Sequence, residues 1–294
     1  MTPDLTFRDR VALGLVRGIG RPALTVIGGA HVIRALTNTP ARLTKARPKG
    51  TIVTEAADGT LYAIPPGVAA DAPWMFHIHG GGFLAGSPWT HLNLASTLAM
   101  YGGLRVVLPS YRLAPENPYP AGRDDLRAAY GAHVTRYGAP AALTGDSAGG
   151  NLALLVAQHA RDVGLPLPRS IGLMSPVADL SDDIPQRIAD APDEMLFPAH
   201  RLAKIRDIYL QGHDPADPGA SPLRGDLTSL PPTLIQASAA EAAAPDATAI
   251  AAAMDTARAD LWDGLPHVWH IFAGKAPVAD HALRAMAAFL KDPA

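Results

Sequence analysis

From about residue 50 onward, short apolar runs of six or seven residues alternate with stretches of helical pattern. Runs of this length suit strands that are buried on both faces. Strands that alternate with helices favour a mostly parallel sheet with helices on both sides, so we predict an α/β fold. The predicted strands are "WMFHIH" (74–79), "RVVLPSY" (105–111), "AALTGD" (141–146), "SIGLMSP" (170–176), "PTLIQAS" (232–238) and "ADLWDG" (259–264).

The start of this pattern has a different form. The stretch "GTIVTEAADGTLYAI" (50–64) carries Asp58-Gly59 between two strand-like halves, which predicts a β-hairpin. Helices are predicted between the later strands and after the last one. Their ranges are about 90–100, 121–137, 147–162, 245–258 and 277–291.

Residues 177–230 interrupt the alternation. They hold no good strand pattern but contain helical text such as "PAHRLAKIRDIYLQG". We predict that they form an insertion above the sheet and that, with residues 1–48, they build a helical cap. The whole chain, 1–294, is predicted to be a single domain with these two cap elements.

Composition excludes several classes of protein. The chain has 294 residues and is 48% hydrophobic, so it can bury a sizeable core. A net charge of −2 without a dense basic run argues against nucleic acid as a partner. The absence of cysteine excludes disulfides, thiolate catalysis and cysteine-bound zinc. A chain without cysteine suits a reducing compartment, and we expect a cytoplasmic protein.

The N-terminal stretch 11–36 is apolar but is interrupted by Arg17, Arg21 and Arg34. A spanning helix needs roughly 20 mostly apolar residues, and no uninterrupted run approaches that length. Asp4 and Asp9 at the front do not suit a secretory signal. We predict one or two amphipathic helices packed on the body, without stable membrane insertion. A weakly membrane-associated helix is the alternative.

Ser147 lies in "LTGDSAGGNLAL" (143–154), directly between a predicted strand and a predicted helix. The pentapeptide "GDSAG" fits the G-x-S-x-G pattern, in which glycines permit a strained strand-to-helix turn that exposes the serine. A serine in a plain turn is the alternative. A serine hydroxyl is a poor nucleophile unless a base and an orienting group lie beside it. Ser147 is therefore a candidate nucleophile.

The glycines of "HGGGF" (79–83) follow a predicted strand and let backbone N–H groups approach a ligand closely. Acyl transfer needs such donors, aimed at the oxygen that becomes negative. A phosphate loop is disfavoured because the Walker spacing and its lysine are missing. His77 and His79 share a strand face, but no third ligand is apparent, and we predict no metal site.

Four motifs occur together and in order along the chain: "HGGGF", "YRLAPE" (111–116), "GDSAGG" (145–150) and "GLPHVWH" (264–270). In this the chain resembles the hormone-sensitive-lipase family of α/β-hydrolases, the class IV bacterial carboxylesterases. The resemblance implies a mostly parallel eight-stranded sheet, helices on both faces and a helical cap. It also implies hydrolysis of small esters without a cofactor.

The same resemblance implies roles for particular residues. The backbone amides of Gly81, Gly82 and Ala148 would bind the oxyanion. The base would be His267, directly after Pro266, while His270 would be structural beside Trp269. In "YRLAPE", Tyr111, Arg112 and Glu116 are expected to form buried polar contacts that hold the glycine loop. Asp146 is expected to point away from the site, since successive strand side chains alternate.

The acid is where the chain departs from the family. The text after the seventh predicted sheet strand is "ASAAEAAAPD" (237–246), and Ala240 occupies the position of the usual aspartate. We predict Glu241 as the acid, because its extra methylene could compensate for a shift of one residue. Asp246 is the second candidate, although its place in the first turn of a helix gives it a plain electrostatic role. A site without an acid is the third possibility.

These features predict a serine carboxylesterase that hydrolyses short- to medium-chain esters of small molecules through an acyl-enzyme. The expected partners are a small-molecule ester and, for assembly, a homodimer; lactones would fit the same chemistry. Because Ala240 replaces the usual acid, the alternative is a catalytically impaired ligand-binding protein on the same scaffold.

Overall fold

The computed structural model describes residues 3–20, 29–181, 183–191, 194–196 and 199–293. Eight strands form one sheet in the order β1-β2-β4-β3-β5-β6-β7-β8. The strands are β1 (Ile52–Glu55), β2 (Leu61–Ile64), β3 (Trp74–Ile78), β4 (Arg105–Leu108), β5 (Ala142–Asp146), β6 (Ser170–Met174), β7 (Thr233–Ser238) and β8 (Ala257–Trp262).

The pairing confirms the predicted fold. Strands β1 and β2 form the antiparallel hairpin, and β2 pairs antiparallel with β4. From β4 to β8 every neighbouring pair is parallel. The carboxyl ends of these six strands therefore meet at one edge of the sheet, where ligand sites of open α/β sheets lie.

Helices connect the strands and flank the sheet. They are α1 (Phe7–Leu15), α2 (Ala30–Thr44), α3 (Pro88–Gly102), α4 (Ala121–Tyr137), α5 (Ala148–Asp162), α6 (Ile184–Ala189), α7 (Ala199–Leu210), α8 (Ala244–Ala253) and α9 (Pro277–Lys291). A π-helical turn follows α1 at Val16–Gly20, and short 3₁₀ turns occupy Pro222–Arg224 and Trp269–Phe272. Helices α4 and α9 begin and end at the predicted residues.

The core lies on both faces of the sheet. On β3, Phe76 packs in one cluster with side chains of α4, α5 and α8, whereas its neighbour Met75 packs in the other with α3 and α9. Alternate strand side chains point to opposite faces, so the two clusters are the two sides of the sheet. All five residues of β3 are buried, as a strand covered on both faces requires.

Residues 177–230, which we call the cap segment, contain α6, α7 and the Pro222–Arg224 turn, and among its described residues no strand occurs. The N-terminal prediction of one or two helices is met by α1 and α2, while Arg21 lies outside the described residues. Among the described residues, no helix is long and apolar enough to cross a membrane.

Candidate active site

Ser147 occupies the junction between β5, which ends at Asp146, and α5, which begins at Ala148. Its backbone has φ 52° and ψ −123°, a region that side-chain-bearing residues rarely adopt. A Cβ on Gly145 would lie 2.3 Å from the carbonyl oxygen of Gly149, so this tight turn needs glycine. The sequence pattern thus folds into the strained turn that it predicted, with Ser147 at its tip.

His267 lies between Ser147 and Glu241. Its Nε2 is 2.8 Å from Ser147 Oγ, and its Nδ1 is 2.5 Å from Glu241 Oε2. Because a carboxylate only accepts hydrogen bonds, Nδ1 carries the proton and Nε2 accepts from the serine hydroxyl. The structure therefore brings together the three side chains that the sequence singled out.

Burial opposes the charged form of His267, but nearby carboxylates outweigh it. The charge and hydrogen bond of Glu241, together with the charges of Glu194 and Asp146, raise the pKa of His267 above its usual value of 6.5. A raised pKa favours the imidazolium that forms when a histidine takes a proton from a serine.

Glu241 is held by both of its carboxylate oxygens. Oε1 accepts a 2.8 Å hydrogen bond from the backbone N–H of Ser238, while Oε2 faces His267. The backbone N–H of Ala240 bonds to Ser238 Oγ at 3.3 Å, which tightens the turn after β7. We call residues 239–243 the acid loop.

Asp246, the second candidate acid, has other partners. Its Oδ2 accepts from the backbone N–H of Ala178 at 2.7 Å, and its Oδ1 accepts from Arg187 at 2.6 Å. Asp246 therefore anchors the cap segment to α8. The expected role of its charge at the helix N-terminus is supplemented by a buried ion pair that the sequence did not indicate.

Glu194 is a residue that the sequence analysis missed. It lies in the cap segment, is 4% exposed and contributes to the wall of the cavity beside Ser147. Its Oε2 accepts a 3.0 Å hydrogen bond from the backbone N–H of Ala242, directly after Glu241. Its Oε1 accepts from Leu196 N at 2.8 Å. No motif surrounds Glu194, so only the fold reveals its contact with the acid loop.

The glycine loop, residues 79–86, lies beside the nucleophile. Gly81 and Gly82 have φ of 123° and 61°, and both line the cavity together with Ser147 and Ala148. A Cβ on Gly81 would lie 2.2 Å from the carbonyl oxygen of Ala85. The loop thus needs glycine for its conformation, and we call it the oxyanion loop after the role that the family resemblance implies for Gly81 and Gly82.

Asp146 was expected to point away from the site. Its buried carboxylate lies beside His77 and accepts a 3.2 Å hydrogen bond from the N–H of Gly80 in the oxyanion loop. His91 Nε2 lies 3.2 Å from the other carboxylate oxygen. Burial opposes charge on both, but their mutual attraction lowers the pKa of Asp146 and raises that of His91. Thr144 and Asp146, two positions apart on β5, both lie beside His77 of β3, so strand alternation holds up to the end of β5.

Only one of the three polar side chains of "YRLAPE" makes the predicted buried contact. The hydroxyl of Tyr111 donates to the carbonyl of His79 at 2.8 Å and so holds the oxyanion loop. The prediction is wrong for Arg112, which pairs at the surface with Asp125, and for Glu116, whose side chain is 38% exposed.

Glu116 instead forms an ion pair with a residue of α2. It pairs with Arg34 at 2.7 Å, and Arg34 also donates to the carbonyls of Leu84 and Ala114 at 2.6 and 2.5 Å. The N-terminal segment is thereby tied to the oxyanion loop.

The remaining candidate histidines have structural surroundings. His270 packs beside Trp269 as predicted, with ring centroids 4.0 Å apart, and its Nε2 lies 2.9 Å from Gln236 Oε1. Burial lowers the pKa of His270 to about 3. His77 contacts Thr144 at 2.9 Å. His79 stacks on Tyr111 with ring centroids 4.3 Å apart, and burial lowers its pKa to about 3.

A cavity of about 550 Å³ opens over Ser147. Its wall combines the oxyanion loop with apolar side chains of α2, the cap segment and the loop after β8, among them Ile33, Val177, Leu196, Leu202, Ile205, Val268 and Ile271. This size and apolar character are usual for small-molecule sites. The arrangement can hold a compact, mostly apolar molecule against a hydrogen-bonded serine.

Comparison with known proteins agrees with this geometry. A family model described as "alpha/beta hydrolase fold" matches residues 75–273. An acetyl-hydrolase of Streptomyces hygroscopicus is 37% identical over 75% of this chain and 76% of its own length. The putative acetyl-hydrolase LipR of Mycobacterium tuberculosis is 30% identical over 98% of this chain and 95% of its own.

Solved structures extend the agreement to the whole chain. The crystal structure of an esterase from the bacterial hormone-sensitive lipase family superimposes with a TM-score of 0.86 at 32% identity, covering 97% of each chain. The fold and the site thus define a carboxylic ester hydrolase on the α/β-hydrolase fold. Within that class, the chain belongs to the hormone-sensitive-lipase family.

Proposed function

We propose that the protein is a serine carboxylesterase that hydrolyses short- to medium-chain esters of small molecules through an acyl-enzyme. The observation that carries the proposal is the continuous hydrogen-bonded series from Ser147 through His267 to Glu241, of which Ser147 and His267 line the cavity. A nucleophile, a base and an orienting acid in this order are the parts that serine hydrolysis requires.

In the first half of the reaction, Ser147 Oγ attacks the acyl carbon while His267 Nε2 takes the hydroxyl proton. Glu241 holds the imidazole orientation and stabilises the imidazolium. The negative oxygen of the tetrahedral intermediate binds the backbone N–H groups of Gly81, Gly82 and Ala148. His267 then gives its proton to the leaving alcohol, and Ser147 remains acylated.

In the second half, water enters and attacks the acyl carbon of the ester on Ser147. His267 takes a proton from this water and returns it to Ser147 Oγ as the carboxylic acid leaves. The cycle consumes only an ester and water, so the proposal includes no metal or cofactor.

Residues 1–48 and 177–230 are proposed to cap this site. Ile33 from α2 and Leu202 and Ile205 from α7 contribute to the cavity wall, which supports that role. The modest cavity volume supports a preference for short acyl groups, and two relatives are named acetyl-hydrolases.

Hydrolysis of p-nitrophenyl esters by the wild type and Ser147→Ala tests the proposal. We expect the wild type to release p-nitrophenol in the presence of EDTA and Ser147→Ala to lose that activity. An organophosphate should inactivate the wild type and label Ser147, as peptide mapping would show. A label on another residue, or undiminished hydrolysis by Ser147→Ala, would refute the nucleophile. A folded wild type that binds esters without hydrolysing them would favour the ligand-binding alternative.

A further inference from the structure

Two N-terminal helices expose apolar side chains. Among the described residues, eleven large apolar side chains are exposed, and six of them belong to α1 and α2. On α1 they are Phe7 (80% exposed), Val11 and Leu15; on α2 they are Val32, Leu36 and Leu43 (78% exposed). Single exposed apolar residues are ordinary, but three on one face of a helix, as on α1 and again on α2, mark an interaction surface.

On α1 the exposed residues recur every four positions, so they lie along one face of the helix. Arg8 lies on one side of this stripe and Arg10 on the other, and Arg17 follows in the π-helical turn; all three are exposed. The opposite face packs on the body. There the carboxylate of Asp9, which is 1% exposed, accepts a 3.0 Å hydrogen bond from Val278 N. The exposed stripe is therefore not the packing face of α1.

Helix α2 is two-sided in the same way. Its inner face contributes Ile33, Thr37 and Ala41 to the wall of the cavity. The outer side carries Val32, Leu36 and Leu43, which lie on one face at helical spacing. A helix is about 10 Å thick, so the outer stripe lies only that far from the cavity wall.

The N-terminal part of the chain is more basic than the rest. The first 50 residues hold nine of the 25 Lys and Arg residues but only two of the 27 Asp and Glu residues. Lys45 and Lys49, which follow α2, are exposed, like Arg8 and Arg10 of α1, whereas Arg42 pairs with Glu55 at 3.3 Å. The apolar stripes are thus set among cations, although the chain as a whole has a net charge of −2.

We propose that the outer faces of α1 and α2 dock on an anionic lipid surface. The apolar stripes would enter the boundary between headgroups and acyl chains, and the flanking Arg and Lys side chains would bind the acidic headgroups. Helices of 9 and 15 residues are too short to span a bilayer and suit binding in its plane.

A second copy of the chain fits this surface less well. A symmetric dimer would place the same basic surface against itself, and the like charges would repel. Nucleic acid would use the cations but would leave the apolar stripes exposed to water. An anionic bilayer satisfies both features at once.

Vesicle flotation of the full chain tests the proposal. Vesicles of phosphatidylcholine mixed with phosphatidylglycerol should carry the protein, whereas phosphatidylcholine alone should carry much less. Added salt should weaken the binding, because part of the attraction is electrostatic. Equal binding to both vesicle types, or none to either, would overturn the proposal.

Variants locate the surface. Phe7→Ser with Val11→Ser, and separately Arg8→Glu with Arg17→Glu, should each weaken binding to the anionic vesicles by roughly tenfold or more. The matched controls are Val163→Ser, an apolar residue 56% exposed elsewhere, and Lys291→Glu; both should bind like the wild type.

Folding and assembly of the variants are measured separately. Circular dichroism melting should show that the variants remain folded; should one pair unfold, the other pair still decides. Sedimentation velocity measures assembly. A dimer that Phe7→Ser with Val11→Ser dissociates would show that a second copy covers this surface and would refute lipid docking. Because flotation does not depend on ester hydrolysis, its result stands apart from the proposed function.

Discussion

Glu241 contacts His267 from one residue beyond the usual aspartate position, which Ala240 occupies. The side chain is long enough to bond both Ser238 N and His267 Nδ1. Its carboxylate can therefore orient the imidazole as an aspartate would from the neighbouring position.

Glu241→Gln is expected to lower kcat by about 10²- to 10⁴-fold, because an amide cannot stabilise the imidazolium in the same way. Steady-state hydrolysis of p-nitrophenyl butyrate measures this. Asp246→Asn is the control, since that carboxylate binds Ala178 N and Arg187; it should lower the melting temperature and affect kcat far less. A kcat loss in Asp246→Asn as large as that in Glu241→Gln would contradict the assignment.

At the scale of single residues, the sequence predicted side chains whose role follows from local pattern. Ser147, His267 and Glu241 lie in motifs or directly after a strand, and the structure brings them together. Glu194 was missed because its partner, Ala242, is 48 positions away and the contact is to a backbone N–H. Backbone contacts between distant segments depend on packing and leave no residue pattern.

At the scale of elements, the oxyanion loop depends on backbone conformation. Gly82 has φ 61°, and a Cβ there would lie 3.1 Å from the Ile205 side chain. Gly82→Val should displace the loop amides and lower kcat on the order of 10²-fold, since one such donor supplies about 3 kcal/mol.

Gly67→Val is the matched control for the Gly82 variant. Gly67 has φ 77° with open space around it, so a β-branched residue there is strained in a similar way but lies outside the site. The melting temperature should be lowered by a similar amount in both variants, whereas kcat should be lowered only in the Gly82 variant. Near-normal kcat in a folded Gly82→Val protein would count against the loop's role.

The cap segment and the acid loop meet at Glu194, and this contact has a pH signature. Glu241, Glu194 and Asp146 all raise the pKa of His267. The proposed reaction needs neutral His267, so kcat/KM should fall on the acid side around the pKa of His267, above its usual value of 6.5. Removing one negative charge lowers this pKa, and activity should then persist to lower pH.

Glu194→Gln is therefore expected to move the acid limb of kcat/KM to lower pH, and Glu241→Gln should move it further because Glu241 is the stronger influence. Glu194→Asp keeps the charge and should retain most of the wild-type limb. The measurement is kcat/KM over a series of pH values in buffers of constant ionic strength, and it gives the pH at which kcat/KM falls. An acid limb that does not move in Glu194→Gln would show that the contact is merely structural.

Two helices, α4 and α9, have the ends that the sequence predicted. Pro120 directly precedes α4 and Pro277 is the first residue of α9, so a proline marks where each helix begins. The cap elements were predicted only as helical regions. The cap segment has no strands alternating with helices, so its sequence did not show how its helices pack. The tie between α2 and the oxyanion loop through Arg34 could not be predicted, since its acceptors are backbone carbonyls.

At the scale of the whole molecule, the sheet sets the position of the site. Helix α2 and the cap segment, which lie above the sheet, set the volume of the cavity. Six parallel strands bring β5 and β7 to a common edge, where the turn after one carries Ser147 and the turn after the other carries Glu241. This much follows from strand order. The volume of the cavity does not, because it depends on how α2 and the cap segment pack over that edge.

We expect that volume to limit the length of the acyl chain. The cavity measures about 550 Å³ and is walled on several sides by α2, α7 and the loop after β8. A short acyl chain and its alcohol fit such a space, whereas a long chain would have to extend past the capping helices into water and gain no further burial. We expect p-nitrophenyl butyrate and hexanoate to be hydrolysed with higher kcat/KM than palmitate. Rates for each ester should be measured below and above its micellar concentration, with Ser147→Ala as the blank. A rate that rises steadily to palmitate and jumps when micelles form would contradict this prediction.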